Sequence, residues 1–469
     1  MKKHWLFFFI LSFAIQSNFL NGQIISVERE NIQDFLSKME IKGFFRENYF
    51  SNVLTIDEIV KKLNILNENR LILNSFEKEQ LDYYLQAYQK FVFSEKESSK
   101  EFKFLNGLYK ERMDLFYYSQ KDFKMVINPA ITIDAENLMK HNQYRVGWGL
   151  NSFARMNNGF EFSFSFMDNS VYNGDYWNKL NFTDEQGRII TRFVKNKNEF
   201  SDTRGSIFYK NDWLLLSLLK DDIKLGNGEA SSLILSNKSP SFPSFYLRLN
   251  PTDWLTIYSM HSWLLSGIVD STKSYWTNYN FRDVSHEKYF AMHAVTIQPF
   301  QFFNLTFGET IIYSDRGPYL GYFIPFLFYR SVDHTFTYGG GDSGNNGSFF
   351  VDGNVYLFDK IKLYGSFYID EFSFSGIIKG KSDRNQSAYT VGVKSFDIPV
   401  LKSSFVIEYT KILPWVYSNW IPAQTYTNLN NPLGHYIGQN SDQIFFKFKY
   451  NFTPYCNLLL KSEYTRNGG

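Results

Sequence analysis

The side chains best suited to chemistry in this chain are few and scattered. His435 lies near Ser441 and Asp442, the three residue types of a base, a nucleophile and an orienting acid, and together they would make a hydrolase. Glu309 is the acid of an alternating segment whose same-face neighbours are Leu305, Phe307 and Ile311. Either the register shifts at Gly308, or Glu309 turns inward and pairs with a base such as His293 or Arg316. His261 and His293, on alternating segments of their own, read as polar groups of the same interior. None of the 7 histidines forms an i, i+4 pair on a helix and Cys456 has no second cysteine, so no metal site and no cofactor is expected. Leu225-Gly-Asn-Gly lacks the Gly-Lys-Ser/Thr of a phosphate loop and reads as a turn. The run from Gly339 to Gly347 is low complexity, and Asp342 and Asn345 within it lack ion-loop spacing.

Two kinds of element have to position these groups. From about Asn31 to Tyr118 apolar residues recur at helical spacing, as in Leu81, Tyr84, Leu85 and Tyr88. Thr55 with Glu58 has the form of a capping box, and Ser75 precedes an acidic first turn, so three or four helices are expected. After Val126 the period changes to 2. In Phe160–Phe166, FEFSFSF, phenylalanines alternate with Glu161, Ser163 and Ser165, which gives one oily and one wet face. In Gln443–Phe452 the lysines 447 and 449 lie opposite Phe446, Phe448 and Tyr450, and lysines suit a water-filled interior better than a sandwich core.

Short turns such as Asn157-Asn158-Gly159, Asn211-Asp212, Gln298-Pro299 and Phe358-Asp359 take turns with long polar loops at 168–203, 221–241, 267–285, 314–347, 373–386 and 412–440. A barrel with one tight end and one elaborated end has this rhythm, and the long loops are expected to face outward. Aromatic residues make up 19% of the chain while the mean hydropathy is -0.31, so apolar character is interleaved and not blocked into helical spans. The continuous apolar run Trp5–Leu20 follows Lys2 and Lys3 and reads as a signal peptide cleaved near Gly22 or Gln23, without the cysteine of a lipid anchor. The lone Cys456 excludes an internal disulfide, and a net charge of +2 gives no reason to invoke nucleic acid.

The expected architecture is therefore a signal peptide at 1–22, an α-helical periplasmic plug at 23–125 and a transmembrane antiparallel β-barrel at 126–469, of 16–18 strands. About fifteen crossings can be counted, an odd number, so one or more strands are expected beyond Gly469, or part of 314–347 crosses. Phe323–Tyr329 is apolar enough to cross or to pack into the lumen.

This layout resembles the Wzi family of outer-membrane capsule-assembly proteins, in particular its relatives from Bacteroidetes-type bacteria. The helical stretch LTIDEIVKKLNIL, then FEKEQLDYYLQAY, resembles the family's N-terminal segment. So do Leu225–Leu249, Met260–Gly267, Glu287–Pro299, Leu305–Tyr313 and Asn430–Ile444, in that order, over nearly the whole mature chain. The resemblance implies a Gram-negative outer-membrane lectin, plugged by its helices, that holds capsular polysaccharide or exopolysaccharide at the cell surface without catalysis. A plugged porin or gated channel, and an outer-membrane hydrolase, are the competing readings. Sugar recognition calls for aromatic faces and fixed polar groups, and candidates are Tyr176, Trp177, Trp276, Arg316, Trp420, Tyr426 and His435. For aromatics near strand ends an interfacial girdle is the preferred reading, and for mid-loop Trp276 and Trp420 the two readings stand level. The expected partners are the polysaccharide and outer-membrane lipid, with the chain as a monomer.

Overall fold

A computed structural model describes residues 27–45, 50–93, 101–104, 114–138, 141–173, 186–194, 196–335, 344–371, 386–454 and 456–468. The expected signal peptide lies outside them. Helices α1 (Val27–Ile41), α2 (Ile56–Glu68) and α3 (Ser75–Tyr88) pack through Leu36, Met39, Leu63, Leu66 and Leu81, all nearly inaccessible. The Thr55–Glu58 capping box starts α2. The start of α3 differs from the expectation: Asn74, not Ser75, is the capping residue, and it shares its box with Glu77. An asparagine oxygen reaches the third backbone N–H as well as a serine hydroxyl does. Buried Glu77 also accepts from Lys38 at 2.9 Å and from Lys42, which ties α3 to α1.

Strands β1 (Glu101–Phe104), β2 (Phe116–Gln120), β3 (Phe123–Leu138), β4 (His141–Met156) and β5 (Phe160–Tyr172) lead to the short β6 (Arg192–Val194). Then come β7 (Lys197–Lys210), β8 (Leu214–Asp221), β9 (Phe242–Thr252) and β10 (Leu255–Val269). A small hairpin of β11 (Tyr275–Trp276) and β12 (Phe281–Arg282) precedes β13 (Ser285–Phe300), β14 (Phe303–Ser314), β15 (Asn346–Leu357), β16 (Ile361–Glu371), β17 (Gln386–Phe396) and β18 (Ser403–Ile412). A second hairpin, β19 (Thr427–Asn428) with β20 (Asn431–Pro432), precedes β21 (Ser441–Thr453) and β22 (Cys456–Asn467). Apart from the hairpins these strands form one eighteen-stranded sheet whose pairings are antiparallel between neighbours in sequence, except that β6 pairs only with β7 while β5 also reaches β7. No pairing among the described residues joins β22 to β1.

The strand region starts earlier than Val126, since β1 and β2 precede it. Pieces of 4 and 5 residues carry too little alternation to be read as strands. The turn expected at Gln298-Pro299 sits at Gln301 and Phe302, beyond the end of β13. A helix Tyr329–His334, α4, lies between β14 and β15.

One face of the sheet touches the helices. Arg155 of β4 and Lys210 of β7 reach Asp57 at 2.7 and 3.0 Å, Tyr356 of β15 donates to Glu40, and Lys394 of β17 and Lys449 of β21 each reach Asp34 at 3.1 Å. Strands far apart in sequence thus close on one plug, and the sheet wraps around it. In β5 Glu161 is on this inner face and accepts from the Ile56 and Asp57 N–H groups at the start of α2, while Phe160, Phe162, Phe164 and Phe166 point away. An acid at a helix N-terminus meets both its free N–H groups and its dipole.

Two of the long loops do not face outward. Most of residues 222–241 and 413–440 folds into the lumen, where Leu225, Ile234, Leu235, Tyr426, Leu433 and Ile437 are fully buried against Tyr258, Met260, Phe290 and Tyr368 of the wall and Phe50 of the plug, while Trp415 and Trp420 stay exposed. The two loops are apolar enough to fill a barrel, and outside it that surface would meet water. Leu225 bridges to Ser51 and to Leu235, and the Gly226 N–H donates to the Phe50 carbonyl at 2.8 Å, so the loop from the outer end meets the plug from the inner end. Gly226 needs a φ of +97°, and a Cβ there would lie 2.9 Å from the Ser232 hydroxyl. The lumen lysines meet acids: Glu229 lies between Lys394 at 2.7 Å and Lys447 at 2.6 Å.

Candidate functional site

The lumen is not filled evenly. Beside β3, β4, β5, β7 and β8 a cavity of about 460 Å³ runs from Gln33 of α1 and Asn52 to the loop residues Gly187–Ile189. Alternation puts Thr132, Asn151, Ser163, Ser165 and Asn169 on its wall, and their small side chains leave the space. Gly147 also clears room, since a Cβ there would sit 2.5 Å from the Asn169 side-chain oxygen. Ser165 donates to Asn151 at 2.7 Å, and the hydroxyls of Ser163 and Ser206 share a hydrogen bond.

Arg204 of β7 organises the outer part of this cavity. It holds Asp202 at 2.7 Å and Asp222, and donates to the Gln186 side-chain oxygen at 3.1 Å; the Gln186 amide donates to Asp222 and to the Ser239 carbonyl. Arg145 forms an ion pair with Asp134, and the Arg188 guanidinium lies 5.0 Å from the centre of the Phe200 ring. Charges held against one another in this way supply directed donors and acceptors with little net field. Amides, hydroxyls, paired charges and one covered aromatic face suit a polyhydroxylated ligand. The described residues of this cavity contain no nucleophile held by a base.

The residues expected from sequence fall into separate places. Tyr176 and Trp177 lie outside the described residues. Trp276, on the outer hairpin against Phe281, and Trp420 are 77% and 72% exposed, and Arg316 is exposed too, all beyond the outer strand ends. Tyr426 and His435 are not at the surface. Tyr426 is stacked 5.3 Å from Tyr417 and donates to the Ile234 carbonyl at 2.7 Å, in the middle of the lumen packing. His435 is fully buried there, and burial, with the charge of Lys224, pushes its imidazole down to about 3. It belongs to no triad: Ser441 donates to the Ile437 and Gln439 carbonyls, and Asp442 is engaged by Lys411 and Arg466.

His261, His293 and Glu309 were expected on the lumen side and stand on the opposite face. Phe290, Met292 and Ile312 point into the lumen packing, so the odd-numbered residues of β13 and β14 point away from it, and Tyr258 and Met260 fix β10 the same way. The pairing partner of Glu309 is His293, directly across the strands, at 2.9 Å. His261 shares a hydrogen bond of 2.7 Å with the Tyr313 hydroxyl. The apolar segment that neither crosses nor enters the lumen covers them: the Tyr329 N–H donates to Glu309 at 2.7 Å, and Phe323 stacks on His261 at 4.0 Å. An acid among Leu305, Phe307 and Ile311 reads as turned inward only while that cover is out of sight.

The cavity itself escapes sequence reasoning, because its polar residues come from several strands and loops spread between Gln33 and Ser241. One signal was present, the serines of FEFSFSF, which line it. Asp270, His286 and Asp315 form a second grouping that no spacing discloses, their ligand atoms all within 4.8 Å. His286 is already engaged by Asp315, and Asp270 by Thr272. Asn345 donates to Asp333, and Asp342 lies outside the described residues.

A profile of the family described as Capsule assembly protein Wzi matches residues 136–469. Among solved structures, the Escherichia coli outer-membrane protein Wzi, described as a carbohydrate-binding β-barrel involved in group 1 capsule assembly, superposes with a TM-score of 0.57 at 12% identity, over 97% of this chain and 86% of that one. Acinetobacter baumannii OccAB2 superposes with a TM-score of only 0.38 at 12% identity, over 73% of this chain and 80% of that one. No curated protein sequence matches the chain.

Proposed function

Because the chain belongs to the Wzi capsule-assembly family, we propose that it is an outer-membrane lectin that retains a capsular polysaccharide or exopolysaccharide at the Gram-negative cell surface. The observation that carries this reading is the polar lumen cavity of about 460 Å³, lined by amides, hydroxyls and paired charges beside the apolar packing of the inner loops. Sugar units of the polymer enter there, and the exposed Trp276 and Trp420 offer stacking faces further along the chain. Each contact is weak, and many contacts on one long molecule add up to retention. The reading needs no catalysis, in keeping with the separation of His435, Ser441 and Asp442. It also needs no second copy, and the protein acts as a monomer in contact with outer-membrane lipid.

The test is binding of polysaccharide purified from the producing cells to the protein in detergent. Ser165→Trp fills the cavity and is expected to weaken binding at least tenfold at an unchanged unfolding temperature. Trp276→Ala and Trp420→Ala are expected to cost about two- to fivefold each, the scale of one aromatic contact. Wild-type binding in Ser165→Trp would remove the cavity from the proposal. A steady open conductance of the wild-type protein in planar bilayers, without polysaccharide, would favour the gated-channel reading instead.

A further inference from the structure

The segment 315–335 lies against the outside of the wall. Its inward side chains, Tyr322, Tyr329 and Val332, are buried with Tyr289, Ala291, Ile311 and Tyr313 of β13 and β14. Phe323 also lies 5.8 Å from Phe245 of β9, and Phe328 lies 5.9 Å from Phe349 of β15, so the segment crosses several strands. Hydrogen bonds seat it, among them those from the Tyr319 N–H to the Tyr313 hydroxyl at 3.0 Å, from the Tyr329 N–H to Glu309 and from the Gly317 N–H to the Glu287 carboxylate at 3.3 Å. His286 holds Asp315 at its start.

The depth of this contact can be placed. Trp254, Phe300 and Phe302, each more than half exposed, mark the tight-turn end of β10, β13 and β14. His261, His293 and Glu309 each lie seven positions along the strand from one of them. A tilted strand climbs about 2.5 Å per residue, so the three groups sit about 18 Å up a lipid-facing band about 25 Å tall. A carboxylate and two imidazoles at that height would be costly against acyl chains. The segment covers them, and its other side is apolar: Leu320 is 77% exposed and Phe326 69%, with Ile324, Leu327 and Phe328 also exposed. These side chains continue the greasy outer face of the neighbouring wall, where Leu265, Phe307 and Phe349 are exposed.

We infer that residues 315–335 form a strap embedded in the outer leaflet, which seals the His261–Tyr313 and His293–Glu309 pairs from lipid and presents Leu320, Ile324, Phe326, Leu327 and Phe328 to acyl chains. This rests on the reading of the wall as membrane-spanning. It explains a polar patch on a lipid face without assigning it to the lumen or to catalysis. It also gives a fixed place to Phe323–Tyr329, which by sequence is apolar enough to cross or to pack into the lumen.

Nitroxide labels report the placement. In a Cys456→Ser background reconstituted in phospholipid nanodiscs, labels are placed at Phe326→Cys and, as a second strap position, Leu320→Cys. Phe164→Cys serves as a bare-wall reference and Tyr279→Cys as an aqueous-loop reference, each site being exposed. The strap labels are expected to match position 164, with an oxygen-to-nickel-chelate collision ratio severalfold above that at position 279. Ratios at 326 and 320 like that at 279, with 164 still lipid-like, would overturn the strap and leave the barrel intact. A water-like ratio at 164 would overturn the membrane wall itself, and the strap with it. Shielding of 326 from both quenchers, with spin–spin broadening between copies, would replace lipid by a second copy of the chain.

Discussion

The two sides of the lumen are built from the same alternating strands and reach opposite ends. Along β9, β10, β13, β15 and β16 the inward residues include Tyr246, Tyr258, Phe290, Phe350 and Tyr368, and two loops pack over them in one buried apolar cluster. Along β3, β4, β5 and β7 the inward residues include Thr132, Asn151, Ser163, Ser165 and Arg204, and a cavity remains. Period 2 alone makes a wall; the volume of the inward side chain decides whether that wall is sealed or hollow. Packed and hollow stretches thereby fall in different sectors of one wrapped sheet, and the cavity stays open beside the helices.

The strongest way to break this division is to hollow the packed side. Tyr426→Ala removes a ring wedged among Phe290, Tyr368 and Tyr417 and orphans the Ile234 carbonyl. It is expected to lower the unfolding free energy by about 3–5 kcal/mol, the scale for deleting a buried aromatic ring, measured by denaturant unfolding in detergent. A loss below about 1 kcal/mol would mean that the inner loops do not depend on this packing. Next in size is Glu229, which joins the loop 222–241 to Lys394 and Lys447. Glu229→Ala leaves two inward ammonium groups facing each other and is expected to cost about 3 kcal/mol, because a broken buried pair strands its partners. Glu229→Gln keeps the side-chain shape and one of the two accepted hydrogen bonds and should recover part of that loss; equal losses in the two variants would show that neither shape nor that one bond seats the loop.

Much of this division follows from local pattern, and the rest does not. The wall was legible because alternation is a property of neighbours in sequence, and Phe160–Phe166 announced both of its faces. The helices were legible for the same reason, from Leu81, Tyr84, Leu85 and Tyr88 and from the Thr55–Glu58 box. The fate of the long loops was not, because whether 222–241 fills a lumen, 315–335 lies on a wall or 270–284 stays in water depends on surfaces distant in the chain. His261, His293 and Glu309 show the consequence: their polarity read as lumen-facing, but only the cover contributed by Phe323 and Tyr329 tells which face tolerates them. Tyr426 and His435 were placed outside for want of the same information. Trp276 and Trp420 are exposed, because their surroundings depend on their own short hairpin or loop.

The smallest expected effect concerns the plug, which is clamped beneath both sides. Under the hollow side, Asp57 at the start of α2 is met by Arg155 and Lys210. Burial opposes its ionisation, and the charges of Lys210, Lys61 and Arg155 overcome that and lower its carboxyl from 3.8 to about 2. Near the packed loop, Asp34 of α1 is likewise opposed by burial and then pulled still lower by Lys394 and Lys449. A depressed folded value means that the stabilisation is complete above the unfolded value and is lost as the pH falls through the folded one. Both clamps should therefore hold unchanged from pH 8 to pH 5, and release should start only below about pH 4, α2 before α1. Because Asp57 is half-buried and screened by water, its share should not exceed about 1 kcal/mol. Hydrogen exchange read by mass spectrometry checks the order, with protection in the first turn of α2 fading before that of α1 while β13 and β14 stay protected. Asp57→Asn should remove the α2 step and leave the α1 step in place. Release of either helix between pH 5 and 7 would transfer the clamp to groups that titrate there, and the hollow and packed sides would then no longer differ in how they hold the plug.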